Sequence, residues 1–441
     1  MKETMALKNE VLPAWLTTAF QALPTNPEAL WDTYRHQQFE QLRQRGLPSR
    51  REAAWKYTDL AFLGQRSWAF PEITTPSLSE SLQALLAERA REQDLLVFVN
   101  GRYAPQLSAL SALPAGVIVS NLQQALTTHA TLLRTYLLKD IDTQGHPFAS
   151  LNAALSSDGL FLYVPPSVIL ERPLHLLSLS LNGEGFMAHP RHVVILEKDT
   201  QLSLTEEYRS ENANGYLTTV AVDFFVGRNA VLNYYKLQDE AADAQHFAQL
   251  FFHQQQQSSV NACSFSLGGQ FTRNEWTVTL QEEAAACRIK GFYGLNADGQ
   301  VMDTPIHIEH AAPQTQSTID YRGVLGRQSR AIFKGQVRVQ PAAQKTKAEQ
   351  MNHNLLLSPL AEINTQPELE IYADEVQCRH GATTGQLDEE SLFYLCARGL
   401  DPLTAKALLL QAFVEAVLNE VTLPSVSEAM RELWRKQVIA L

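Results

Sequence analysis

The sequence predicts a mainly β protein whose core is a parallel β-helix lying between N-terminal and C-terminal α-helical regions. Short strand-like runs fill residues 151–395, and polar turns of similar composition recur between them at a fixed step. Apolar residues at helical spacing are concentrated in residues 1–150 and 396–441. The chain therefore divides into an N-terminal helical and mixed region, a β-helix core and a C-terminal helical region.

The composition indicates a folded globular protein. Of the 441 residues, 45% are hydrophobic and 19% are charged, which suits a chain with a sizeable core and argues against disorder. The formal net charge of −11 repels phosphate backbones. Nucleic acid is therefore not an expected partner.

Three features predict a location in the reducing cytoplasm, without membrane association. No run approaches the roughly 18 apolar residues that a membrane helix needs. The polar segment Met1–Glu10 lacks the apolar stretch of a secretory signal. The cysteines at 263, 287, 378 and 396 form no CxxC pair, and four in so long a chain do not make a disulfide framework.

The N-terminal region contains two helical patterns and one strand. Segments Glu28–Arg45 and Leu78–Glu92 place apolar residues at helical spacing among good helix formers. The apolar run Leu95–Asn100 meets Gly101 in an Asn-Gly turn signal. A strand followed by a tight turn is expected there.

The β zone shows a repeat in its turns. Leu202, Val231 and Val260 each close a polar turn, and the step between them is 29 residues each time. Stacked coils produce such a step, because each coil buries its apolar face on its neighbours. The step is lost after Cys287, and a β-sandwich remains the alternative explanation of the strand pattern.

The C-terminal region predicts two helices. Asp401 and Pro402 suit the cap and first turn of a helix. Its apolar side is expected to contain Leu403, Ala407, Leu410, Phe413, Val414 and Val417. Pro424 is expected to end it, and Ser425–Glu428 is a capping-box pattern for the last helix. The pair either closes the β domain or docks a partner.

The common enzyme signatures are missing: there is no phosphate loop, GxGxxG, HExxH or GxSxG motif. His307 and His310 lie close in sequence without a nearby cysteine, and we interpret them as structural. Cys263 and Cys287 are interpreted as small core residues. No active site of the chain's own is expected.

One constellation combines a thiol and an imidazole. In a strand, Val376, Cys378 and His380 share one face, and both sulfur and imidazole nitrogen bind iron or iron–sulfur clusters. Two ligands cannot complete a four-coordinate site, so the remainder must come from elsewhere, for example a second subunit. The neighbouring Arg379 is a candidate for lowering the pKa of the thiol, although its side chain is expected on the opposite face of the strand. A buried thiol beside a hydrogen-bonded histidine is the alternative.

The same stretch carries a family resemblance. Residues 369–383, with Cys378 and His380 at their centre, resemble the hallmark segment of the SufB/SufD family of iron–sulfur cluster assembly proteins. Residues 330–335 and 350–356 are also similar to that family, as are the shorter marks 55–58 and 98–103. The length and the N-terminal region are like the SufD branch, because the SufB branch is longer and carries extra cysteines near its start.

The resemblance implies a right-handed parallel β-helix and a non-catalytic scaffold in the SUF system. It implies pairing with a SufB-type subunit through the β-helices, and a SufC-type ATPase docked on residues 396–441. The Cys and His of the hallmark segment map onto Cys378 and His380, with His380 the better candidate ligand. An iron–sulfur cluster would be held transiently at the subunit interface, with none bound tightly by the isolated chain.

Other interpretations remain open. One is a SufB-like sister scaffold. Another is a homodimer that binds the ATPase but no metal. A third, from a different class, is a β-helix carbohydrate-active enzyme, which would need paired carboxylates in a cleft.

Overall fold

The computed structural model describes residues 12–25, 30–72, 78–136 and 145–438. The segment Met1–Glu10 and the start of the first helical pattern, Glu28, lie outside these ranges. The helices are α1 Ala14–Ala22, α2 Leu30–Arg45, α3 Phe62–Gln65, α4 Glu80–Glu92, α5 Leu122–Thr128, α6 Ala130–Tyr136, α7 Pro147–Leu155, α8 Glu389–Ala397, α9 Pro402–Leu418 and α10 Pro424–Val438.

The strands occupy both the N-terminal region and the core. They are β1 Asp94–Val99, β2 Arg102–Tyr103, β3 Ile118–Asn121, β4 Leu160–Val164, β5 Leu174–Glu184, β6 Met187–Ala188, β7 Arg191–Leu196, β8 Gln201–Asn214, β9 Leu217–Val226, β10 Val231–Glu240, β11 Gln245–Gln254, β12 Ser259–Gly268, β13 Phe271–Leu280, β14 Ala286–Leu295, β15 Val301–His310, β16 Gln316–Leu325, β17 Arg330–Val339, β18 Lys347–Leu356, β19 Glu362–Ile371 and β20 Gln377–Gly385.

The core is a β-solenoid of about 8 turns, so the predicted mainly β fold with helical ends is confirmed. Even-numbered strands from β8 to β20 form one sheet in chain order, and odd-numbered strands from β7 to β19 form the other. Each turn of the chain adds one strand to each sheet, and these strands pair in parallel. The parallel order excludes the β-sandwich, whose sheets are antiparallel.

The coils do not repeat at a constant 29 residues. Leu202 lies beside Leu232, and Leu232 beside Val260, so the steps of this inward row are 30 and 28. Val231 pairs instead with Gln201 and is half-buried, so it is not the structural equivalent of Leu202 and Val260. Each coil has one corner after its odd-numbered strand and one after its even-numbered strand. The corner after the even-numbered strand varies in length: it comprises residues 241–244 after β10 but only residues 269–270 after β12.

The same row continues beyond the point where the sequence repeat is lost. It runs through Cys287, Ser317 and Ala348 to Cys378, with steps of 27, 30, 31 and 30. Residues of different chemistry occupy equivalent positions, so the coil persists although its sequence pattern does not.

The corner after each odd-numbered strand from β7 to β17 has a left-handed residue that ties one coil to the next. Asp199, Asn229 and Lys345 have φ of 60°, 56° and 61°. The Asp199 N–H donates to the Arg228 carbonyl at 2.8 Å, and the Lys345 N–H donates to the Glu375 carbonyl at 2.6 Å. The corners are therefore hydrogen-bonded along the solenoid axis as well as the strands.

The N-terminal region joins the solenoid directly. The strand predicted at Leu95–Asn100 is β1, which pairs in parallel with β5 and forms a hairpin with β2. Asn100 and Gly101 have φ of 49° and 80°, as the Asn-Gly signal predicts. Across the described ranges, no helix combines the length and the apolar character needed to cross a bilayer.

The C-terminal helices pack on the outer face of the even-numbered sheet. Asp401 caps α9 as predicted, with its carboxylate accepting from the Leu403 and Thr404 N–H groups at 3.1 and 3.0 Å. Leu410 and Val414 are buried as expected. Leu403 is 76% exposed, so its predicted place on the buried side was wrong.

The predicted boundary near Pro424 was also wrong. Pro424 begins α10 and does not end α9, which already finishes at Leu418. Ser425 consequently lies inside the first turn, and its hydroxyl accepts a hydrogen bond from Gln93 at 3.2 Å. A tertiary contact with the N-terminal region replaces the expected capping box.

A fully buried group of charged side chains lies inside the solenoid. The Lys236 ammonium is 3.2 Å from one His246 ring nitrogen, and the other is 2.8 Å from the Glu240 carboxylate. Burial lowers the pKa of Lys236. Burial alone would raise the pKa of Glu206, but Lys236 and hydrogen bonds from two tyrosines outweigh it and lower that pKa.

Buried neutral histidines make stability dependent on pH. Burial lowers the pKa of His189 to about 3 and those of His192 and His310 to about 4. Below pH ~6.5 these rings become protonated in the unfolded chain but stay neutral in the folded protein. Each ring therefore lowers the free energy of unfolding by ~1.4 kcal/mol per pH unit. We expect the free energy of unfolding, measured in urea, to fall as pH decreases from about 6.5 to about 4. A value that stays constant or rises over this interval contradicts the assignment.

Candidate functional site

Within the described residues, no strand lies beyond the last coil of the solenoid. Strands β19 and β20 are the final members of their sheets, and no residue of either is buried. In β17, one coil earlier, six of the ten residues are buried. We call β19, the connecting residues 372–376 and β20 the open coil end. Its backbone N–H and C=O groups on the outer side lack a neighbouring strand, which suits strand addition by another chain.

Cys378 and His380 both lie on the inward-facing row of β20. Cys378 pairs with Ala348, is half-buried and packs against the solenoid core. His380 pairs with Gln350 and is exposed. The two side chains therefore share one face of a strand, as the sequence predicts, with the imidazole more accessible than the thiol.

The possible influence of Arg379 on the thiol is not supported by the structure. The Arg379 side chain is on the outward face, 74% exposed, and pairs with Glu349 at 2.7 Å. Burial raises the pKa of Cys378, and the hydrogen bond from the Ala348 backbone only partly opposes it. The thiol is therefore protonated near neutral pH, and deprotonation would require a bound metal ion or another cation.

The pair does not form a complete metal site within this chain. In the described ranges, no three His, Cys, Asp or Glu side chains converge well enough to hold a metal ion. A thiol and an imidazole supply two of the four ligands that such sites use. Any iron or cluster held here therefore needs ligands from another molecule.

A layer of buried amides lies directly beneath the open coil end, and the sequence analysis did not assign it to the site. Gln350, Asn352 and Asn354 on β18 are 1%, 0% and 2% exposed and pair with residues 380, 382 and 384 of β20. The three amide residues occupy every second position of Gln350–Asn354. This spacing is the sequence signal that could have identified them, since residues two apart lie on the same face of a strand.

A second exposed feature lies on the C-terminal helices. Phe393 and Tyr394 on α8 are 75% and 57% exposed, and Leu403 and Leu408 on α9 are 76% and 48% exposed. We call these four residues the apolar helix patch. Large apolar side chains exposed on neighbouring helices are typical of a surface that contacts another protein.

Cys263, Cys287 and His310 lie in the fold's interior, whereas His307 is half-buried and its ring is 2.9 Å from the Gln336 amide oxygen. Cys263 and Cys287 are buried, and burial raises the pKa of each to about 12. His310 is held between the Thr315 and Ser317 hydroxyls at 2.7 and 2.8 Å. The interpretation of Cys263 and Cys287 as core residues is confirmed.

Together these features define a class of protein: a β-solenoid that presents an unpaired edge with two candidate ligands and a separate apolar surface. Comparison with known proteins shows the family to which the chain belongs. The family model described as "SUF system FeS cluster assembly, SufBD core domain" matches residues 179–413. The model described as "SufBD protein N-terminal region" matches residues 16–176. The chain belongs to the SufBD family of the SUF iron–sulfur cluster assembly system.

Several relatives align over most of this chain. An iron-sulfur cluster assembly SufBD family protein of Synechocystis sp. is 31% identical, with 88% of this chain and 86% of the relative covered. The iron-sulfur cluster assembly protein SufD of Escherichia coli is 29% identical over 91% and 90%. SufD of Bacillus subtilis is 24% identical over 83% and 84%.

The placement of the four thiols predicts their reactivity. We expect an aromatic disulfide reagent at pH 8 to modify Cys378 and Cys396, which are partly exposed, while Cys263 and Cys287 react only after unfolding. Counting released chromophore in native and denatured protein measures this. The variant Cys378→Ser should remove one equivalent from the native count, and rapid reaction of all four native thiols would contradict the structure.

Proposed function

We propose that this protein is a non-catalytic, cytoplasmic scaffold subunit of a SUF assembly complex, in which it pairs with a SufB-type subunit and a SufC-type ATPase. It helps to build nascent iron–sulfur clusters and to transfer them. The observation that supports this most is the open coil end, where a strand with one unpaired edge carries Cys378 and His380. Family membership supports the SUF setting and disfavours the carbohydrate-active alternative.

The open coil end suits a second solenoid as its partner. Strands β19 and β20 are 10 and 9 residues long, so a matching coil could continue both sheets at once. The inward row would continue with it, so side chains of the partner would meet those of β20. Such a contact covers the apolar interior of the last coil and supplies the ligands that this chain lacks.

His380 and Cys378 are proposed to contact the cluster or its iron, with His380 the principal ligand. The cluster is the cargo of the assembly reaction. His380 is exposed and within reach of a partner, whereas Cys378 is half-buried and its thiol is protonated near neutral pH. The imidazole can therefore accept iron first, while the thiol requires metal-assisted deprotonation.

The apolar helix patch is proposed as the docking surface for the SufC-type ATPase. The sequence has no phosphate loop, so ATP binding and hydrolysis are assigned to that partner. Movement of α9 would be transmitted to the solenoid through contacts such as the Arg322 guanidinium on the Phe413 carbonyl at 3.1 Å. Strain of this kind at the open coil end would expose its ligands to sulfur and iron.

The variant His380→Ala tests the ligand role. We expect the complex to assemble while cluster formation falls by about tenfold or more, because loss of a metal-binding group typically weakens a site by such factors. The measurement is anaerobic reconstitution followed by visible absorption and iron and sulfide analysis. His353→Ala is the matched control, since His353 lies on β18, the neighbour of β20 in the sheet. Its ring forms a hydrogen bond with the Thr383 hydroxyl on the outward face. Equal cluster yield in the wild type and His380→Ala removes His380 from the mechanism.

The variants Phe393→Asp and Leu403→Asp test the docking surface. A buried carboxylate in an apolar contact is costly, so we expect binding of the SufC-type ATPase to weaken at least tenfold while the chain still folds and pairs with the SufB-type subunit. Co-purification and calorimetry measure this. Ile169→Asp is the control, because it places the same charge at a 58% exposed apolar residue of the solenoid. ATPase binding that withstands both patch substitutions contradicts the proposal.

A further inference from the structure

The amide layer beneath β20 contains two satisfied members and one unsatisfied member. Asn354 donates to Asn352 at 2.7 Å and accepts from the Tyr293 hydroxyl at 2.5 Å. Asn352 donates to the Tyr293 oxygen at 3.1 Å. These three side chains form a closed group inside the last coils, and Gln350 does not join it.

Gln350 is anchored at one end and unpaired at the other. Its Nε2 donates to the Glu368 carbonyl on β19 at 3.3 Å, while its Oε1 has no hydrogen-bond partner although the residue is only 1% exposed. The amide occupies space that Gly335 leaves open, since a Cβ at Gly335 would lie 2.1 Å from Oε1. A buried unpaired carbonyl is rare enough in folded proteins to require an explanation.

The neighbouring residues of β20 narrow the choice of donor. Gln350 on β18 and His380 on β20 are paired neighbours in the sheet. Both residues lie on the inward face, and the two strands are about 4.8 Å apart. Cys378 offers only a weak S–H donor, and Ala382 offers none. Of these three side chains of β20, only His380 carries a strong hydrogen-bond donor.

We propose that Gln350 is the positioning residue for His380. When a partner covers the open coil end and excludes water, Oε1 of Gln350 accepts the N–H of the imidazole. This contact fixes the tautomer and the ring orientation, so the other ring nitrogen faces the iron with its lone pair. Metal-binding histidines commonly donate their second N–H to such an acceptor, which makes them better ligands. The inference rests on the proposed function of His380.

A double-mutant cycle on the complex with SufB-type and SufC-type subunits tests this. Gln350→Met removes the acceptor at similar volume, and Gln350→Glu keeps an acceptor oxygen. The readout is the affinity for Fe²⁺ in anaerobic titration, measured in the His380 background and again with His380→Ala. We expect Gln350→Met to weaken Fe²⁺ binding about tenfold with His380 present and to have no further effect with His380→Ala, because removing one partner removes the coupling. Gln350→Glu should retain most of the affinity.

The control variant is Gln255→Met, which makes the same change at an exposed glutamine in the corner between β11 and β12, outside the open coil end, and should leave Fe²⁺ affinity unchanged. If Gln350→Met weakens binding equally in both backgrounds, its role is structural and the inference fails while the function of His380 stands. If Gln350→Met has no effect although His380→Ala does, the inference fails alone. If His380→Ala itself has no effect, the proposed function and the inference fail together.

Discussion

The architecture depends on the parallel hydrogen bonding of each coil to the coil that follows it. Strands pair along both sheets, and the left-handed corner residues add one more bond per coil, from Asp199 to Lys345. This arrangement satisfies the backbone of every internal coil but cannot satisfy the last one. The open coil end is therefore a direct consequence of how the solenoid is built, and the chain places its thiol and imidazole there.

The interior combines an apolar core with a few enclosed polar groups. Rows such as Leu202, Leu232 and Val260 stack over one another and exclude water, while Lys236 is enclosed with carboxylates, tyrosines and His246. A buried charge destabilises the folded protein when its ion-pair or hydrogen-bond partner is removed. The residues around Lys236 therefore constrain which side chains can occupy the adjacent coils. Toward the open coil end the interior changes to amides, which are polar without carrying charge.

The two exposed features are physically connected. Helix α9 carries part of the apolar helix patch and also packs on the outer face of the sheet to which β20 belongs. A partner on the patch and a partner on the open coil end would therefore act on the same sheet. A rigid, hydrogen-bonded ladder between them is suited to transmit small displacements, because packed cores deform as units.

Local chemistry allowed the sequence to predict much of this protein. The strand runs, the Asn100-Gly101 turn and the Asp401 cap depend on neighbouring residues, and each is present in the structure. The hallmark segment likewise indicated a strand with Cys378 and His380 on one face. The family could be recognised from the same residues.

Features that depend on distant residues were decided only by tertiary structure. Val231 is not equivalent to Leu202 and Val260 because the equivalent residues of these coils are 30 and 28 positions apart, and the Ser425 hydroxyl accepts a hydrogen bond from Gln93, 332 residues away in the sequence. Leu403 is exposed because the sheet contacts the other side of α9. The role proposed for Gln350 depends on Gly335 and Glu368 in other strands. Sequence patterns record the preferences of neighbours, whereas register, burial and unpaired atoms arise only when separate coils are brought together.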